Sequence, residues 1–132
     1  MEDIPVIGKF PALSGRSIEA VVVESFVCAG ELVASANVVY IQSAGHWHRL
    51  VLDAGTVHWR EEEECPKPWS VPENQWVYPH LSLGEELGLS GACVSRTNVY
   101  REGSGICVEI ALSNGRVLVV SNDHDSSSYR VA

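Results

Sequence analysis

Apolar residues in the first half of this chain fall on alternate positions, the period of a half-buried β-strand. The segments "NVVYIQ" (37–42), "WHRLVL" (47–52) and "TVHWRE" (56–61) are separated by "SAGH" and "DAGT", whose glycines are ten residues apart. Such spacing predicts a meander of short antiparallel strands. With two-residue turns, Leu52 pairs with Val57, Leu50 with Trp59 and Val39 with Leu50. Val39, Ile41, Leu50, Leu52, Val57 and Trp59 then form one apolar face. Ala44 and Ala54 tolerate the positive φ of such turns less well than asparagine or glycine, which leaves room for longer connections. The other face carries Tyr40, Trp47, Arg49, Val51, His58 and Arg60, a mixed aromatic and basic surface.

The second half repeats the theme. "VEIALSNGRVLVV" holds Asn-Gly between alternating apolar residues, a strong two-residue hairpin signal. In that register Val108, Ile110, Leu112, Val117 and Val119 share a face. "IGKFPALSGRSI" (7–18) aligns without a gap on "LGEELGLSGACV" (83–94), matching Gly8 to Gly84, Leu13 to Leu89, Ser14 to Ser90 and Gly15 to Gly91. The offset of 76 suggests a duplicated unit.

Helix is the minor element. Ser25 to Ala36 has a helical pattern, although Gly30 within it costs about 1 kcal/mol relative to alanine. "SLGEEL" places Glu85 three residues after Ser82, the spacing of a capping box. From Pro66 to Pro79 four prolines and no periodicity predict a long loop carrying Trp69, Trp76 and Tyr78. The expectation is a single mostly β domain over residues 1–132, α+β if both helical segments form. Antiparallel meanders build a curled sheet or sandwich from two similar units, 4–61 and 80–121, joined by a loop at 62–79.

At 132 residues such a domain buries roughly two thirds of the surface its unfolded chain exposes, enough for a core without staples. The longest apolar run is far too short to span a bilayer, so no membrane role is expected. The acidic N-terminus lacks the basic and apolar regions of a secretion signal, which predicts a cytoplasmic protein. Cys28, Cys65, Cys93 and Cys107 show no paired spacing and are expected to be free thiols. Of the net charge of −8, six units fall between residues 61 and 90. That excludes a phosphate-binding stripe, and with it nucleic acid, and favours a basic protein partner.

Chemistry is hard to find. His46, His48 and His58 suggest a metal, but His58 falls on the opposite face from His48 in the predicted register, so no metal site is expected. "NDHD" at 122–125 follows the last strong strand and is read as a solvated tail. Neither a nucleophile elbow nor a phosphate-binding glycine loop is present, so no catalytic residue and no cofactor are assigned.

What remains is "HWREEEECPKPW". Neighbouring glutamates about 6 Å apart repel by roughly 0.7 kcal/mol per pair in water. One reading is a solvated strand end that protects a sheet edge. The other is a docking surface, in which acidic side chains speed the encounter and tryptophans anchor it. Its expected residues are Glu61, Glu62, Glu63, Glu64, Trp69, Glu73, Trp76, Glu85 and Glu86.

In general character, and in the "LSNGRVLVVSN" hairpin, the chain resembles small acidic bacterial immunity proteins, the antitoxins of polymorphic or contact-delivered toxins. The resemblance implies a stoichiometric inhibitor of a basic toxin that needs no cofactor. The alternative is a small-ligand module on the Tyr40, Trp47, Arg49, His58 and Arg60 face. A metal-dependent enzyme ranks third.

Overall fold

Three Ala-Gly dipeptides set the frame of the first half. Ala29, Ala44 and Ala54 have φ of 51°, 52° and 50°, and the glycine after each is also positive. Pairing of Cys28 with Glu31, Ser43 with His46 and Asp53 with Thr56 leaves two residues in each turn. Positive φ at both central residues matches the right-handed twist of the flanking strands, and this outweighs the strain on alanine.

The computed structural model describes residues 4–8, 11–84, 88–123 and 126–132. Its strands are β1 (Val6–Gly8), β2 (Ala20–Cys28), β3 (Glu31–Ser43), β4 (His46–Asp53), β5 (Thr56–Glu62), β6 (Trp69–Val71), β7 (Trp76–Tyr78), β8 (His80–Ser82), β9 (Val94–Glu102), β10 (Gly105–Leu112), β11 (Val117–Asp123) and β12 (Ser126–Val131). The first sheet runs β1-β5-β4-β3-β2-β7-β6, with β8 also on β2, and the second runs β12-β11-β10-β9. The protein is mostly β. Each half therefore contributes one four-stranded antiparallel meander.

The predicted pairs Leu52–Val57, Leu50–Trp59 and Val39–Leu50 all form. Their side chains are buried in one cluster with Val108, Ile110, Leu118 and Val120 of the second sheet. The two sheets face each other across this cluster as an open sandwich.

Four expectations need correction. Ser25 to Ala36 is not a helix but the end of β2, a turn and the start of β3. Ala29-Gly30 closes the hairpin, and the β-branched valines around it suit a pleated surface better than a helix. The "SNGR" turn holds three residues, because Ile110 pairs with Leu118 and the Leu112 N–H donates to Arg116 O. Only Gly115 takes positive φ there, while Asn114 Nδ2 donates to Gly88 O at 2.6 Å and its Oδ1 accepts from the Arg116 N–H. One extra turn residue flips β11, so Leu118 and Val120, not Val117 and Val119, join the face of Val108 and Ile110.

The segment after Asp123 is not a tail but β12, paired along β11 from Ser126 to Val131. Within 62–79, two short strands and a 3-10 turn at Pro72–Asn74 replace the expected loop, and that turn is the sole helical element among the described residues. The rest of the Ser82 capping box lies outside the described residues, as do His124 and Asp125.

The aligned segments meet in space. Ile18 N–H donates to Ala92 O and Val94 N–H to Arg16 O; Gly15 N–H donates to Val94 O and Gly91 N–H to Ile18 O. Exchanging each residue for its counterpart 76 positions away turns each bond into the other member of its pair. Leu13 and Leu89 are buried at equivalent places in the core. The two halves thus hold one another through a reciprocal seam.

Candidate functional site

Strand alternation turns Val21 and Val23 toward the core and Val22 and Glu24 toward the outer face of the first sheet. Glu24 is 2% exposed, which is unusual for a carboxylate on an outer sheet face. Its cover comes from the chain after the proline-rich region. Residues 76 to 82 run antiparallel to β2 as two strands, split at Pro79, whose carbonyl accepts from Ser25 N–H. Glu24 pairs with His80, and His80 Nε2 lies 2.9 Å from Glu24 Oε1. Trp69 donates its indole N–H to the same oxygen at 3.1 Å.

Aromatic rings extend the site. Trp69 stacks on Tyr78 at 3.9 Å, Tyr78 on Phe26 at 5.1 Å, and Phe26 meets Trp76 edge-on at 6.2 Å. On the other side of Glu24 the Tyr40 ring lies 5.9 Å from that of His80. Burial raises the Tyr40 phenol above its ordinary pKa of 10.0, the nearby Glu24 charge adds to this, and a hydrogen bond with Arg49 opposes it. Arg49 Nε lies 4.0 Å from Glu62 Oε1, which also accepts from Arg60 Nε at 3.0 Å and from Arg60 Nη2. A single belt of contacts therefore crosses the face from Arg60 on β5 to Trp76 on β7.

The structure redistributes the predicted residues along this belt. Trp69 and Trp76 remain 49% and 38% exposed, so each indole is packed on one side and open on the other. Glu73 stands exposed in the turn between them. The glutamate run does not stay together. Alternation splits it, sending Glu62 to the arginines and Glu61 to the opposite face, where Glu61 Oε1 is 2.8 Å from His46 Nδ1. Glu63 and Glu64 are exposed past the end of β5. Three strands separate β5 from β7, roughly 19 Å along the sheet at about 4.8 Å per step. Glu61 and Glu62 on β5 thus stand several strands from Trp76 on β7, Glu63 and Glu64 fall in the connection that leads to Trp69 on β6, and Glu85 and Glu86 lie outside the described residues.

The alternative ligand face also changes. Tyr40, Trp47, Arg49, His58 and Arg60 do share the outer face, but Trp47 is only 8% exposed and so presents little surface. Both arginines are turned to Glu62. Sequence reasoning missed Glu24, Phe26 and His80. The signal for the first was present: one acid inside the apolar run "AVVVESFV" has to be paired if it is buried.

On the other face His46, His48 and Glu61 line a cleft of about 280 Å³ with Arg16 and Ser43. Burial depresses His48 below the usual histidine value, and the nearby His46 and Arg16 add to this against the pull of Glu61. Among the described residues no three His, Cys, Asp or Glu side chains gather as metal ligands, and His58 lies on the opposite face from His48. All four cysteines are free thiols. No described helix is long and apolar enough to cross a membrane.

Compared with known proteins, the chain matches no family model, no curated protein and no solved structure.

Proposed function

We propose that the chain is a stoichiometric protein-binding inhibitor of the immunity-protein type, which docks a basic toxin domain on the outer face of its first sheet. The observation that carries this reading is the pair of half-open indoles, Trp69 and Trp76, held in register by Tyr78 and Phe26. Large aromatic anchors already fixed in place lose little conformational freedom on binding, and such residues supply most of the affinity at protein interfaces. The net charge of −8 favours a cationic partner and speeds its approach. Glu61 to Glu64 then act at long range, while the indoles make the contact.

Small-ligand binding on the arginine side of the belt has less support. Glu62 engages both guanidinium groups there, and Trp47 is covered.

The test is co-expression with basic toxin domains in a growth assay. The intact chain restores growth with one of them, and the Trp69→Ala, Trp76→Ala double variant, shown to be folded, does not. Full protection by that variant would remove the docking face from the reading.

A further inference from the structure

Alternation along β4 puts His46 and His48 on the same inner face as Leu50, where they pair with Ser43 and Ile41 of β3. Leu50 is buried in the core, whereas the two histidines open into a cleft. The loop before β2 forms its other wall. Arg16 N–H donates to Leu13 O, and Ser43 Oγ donates to Ser17 O at 2.9 Å, which ties the loop to β3 and lines the cleft with Arg16. Arg16 is exposed, and neither its guanidinium nor the half-buried His48 ring has a hydrogen-bond or ion-pair partner among the described residues. Glu61 does have one: its Oε1 lies 2.8 Å from His46 Nδ1. A partly desolvated imidazole beside an unpaired guanidinium favours a negatively charged guest. Glu61 limits how much charge that guest carries. With Arg16 and Glu61 cancelling, one negative charge is balanced by one proton taken up on His48, whereas two would leave an excess.

We propose that this cleft binds a small monocarboxylate, gripped by Arg16 and His48, on the face of the first sheet opposite the indoles. The planar guanidinium donates two N–H groups to the carboxylate oxygens, and His48 donates one ring N–H. Ser43 is committed to Ser17 and His46 to Glu61, so these residues shape the walls. The charged and titratable groups facing His48 are Glu61 from β5, His46 from its own strand and Arg16 from the loop, while β3 offers Ile41 and Ser43. Burial holds His48 below the usual histidine pKa against the pull of Glu61, and a bound carboxylate opposes that depression. Binding and proton uptake are therefore linked: the ligand tightens as pH falls, and its presence raises the pH at which His48 titrates.

The experiment follows the His48 Cε1–H resonance of the ¹³C-labelled full chain, assigned with His48→Gln, during titration with sodium acetate at ionic strength held constant with sodium chloride. A saturable shift is expected, several-fold tighter at about pH 6 than at about pH 8, and saturating acetate moves the His48 titration midpoint upward. Arg16→Gln, an exposed substitution that keeps the backbone bonds of the loop, weakens binding at least tenfold. His58→Gln, on the outer face, leaves it unchanged. At about pH 8 inorganic phosphate, then mostly doubly charged, binds more weakly than acetate. The proposal is overturned if acetate shifts the resonance no further than chloride does, if the folded Arg16→Gln protein binds as the parent does, if the His48 midpoint stays where it was, or if phosphate at that pH binds more tightly than acetate. The docking face plays no part in any of these readouts, so its failure in the growth assay and the failure of this site are separate results.

Discussion

Trp69 donates its indole N–H to Glu24 across 45 positions of sequence, and that bond fastens the β6–β7 hairpin to the middle of the first sheet. A hydrogen bond to a charged group contributes about 1.5–3 kcal/mol. Trp69→Phe keeps a ring for Tyr78 to stack on but removes the donor. Urea unfolding should therefore show a loss of about 1–3 kcal/mol, and a variant as stable as the parent would show that the bond does not form in solution.

The Ala-Gly turns hold alanine at φ near +50°, a conformation that costs an L-residue roughly 1–2 kcal/mol and that asparagine adopts more readily. Ala54→Asn should raise stability by about 0.5–1 kcal/mol, with an increase of a few degrees in Tm. Unchanged or lower Tm would mean that the turn is not two residues long.

Gly8 pairs with Trp59 at the end of β1, and a Cβ built there would lie 1.9 Å from Trp59 O. Backbone cannot yield as a flexible side chain does. Gly8→Ala should strip β1 from β5 and cost about 1–3 kcal/mol, seen as faster amide exchange at Trp59. Protection equal to that of the parent would contradict this pairing.

His48 titrates below its unfolded value of about 6.5, since burial disfavours its charged form. The unfolded chain then binds the extra proton first, so the contribution of His48 is complete above about pH 6.5 and is lost as pH falls through the depressed folded pKa. His48→Gln should flatten the pH dependence of stability in that window, measured by denaturation at successive pH values. Identical slopes in both proteins would contradict it.

If charge steers and the indoles hold, the two regions should separate kinetically. Glu63→Lys with Glu64→Lys should slow association with a basic toxin by several-fold, an effect that salt erases, and leave dissociation unchanged. Trp69→Ala should act mainly on dissociation. An effect of the lysine variant on dissociation alone would place those glutamates inside the interface.

The first sheet was legible because Val39, Ile41, Leu50, Leu52, Val57 and Trp59 take alternate positions within their strands, and two-residue turns bring all six onto one face. The second sheet was read one residue out of step. Asn114 donates its side-chain amide to Gly88 O, 26 residues away, a contact that no local pattern announces. Ser25 to Ala36 misled for a similar reason: Ala34 and Ala36 are buried opposite the place where β2 and β3 shift register, so simple strand alternation is lost there. The indoles were visible as unusual loop residues, whereas the attachment of Trp69 to Glu24 depended on the long return of residues 76 to 82 to β2. The acid run stood out in sequence because its members are adjacent, and alternation along β5 then sent them to different neighbours.

The reciprocal bonds between Gly15, Ile18, Ala92 and Val94 do not depend on which polypeptide supplies the opposite half. Two molecules that traded their C-terminal units would satisfy the same donors and acceptors, so shortening the connection between Gly84 and Leu89 should favour an intertwined dimer.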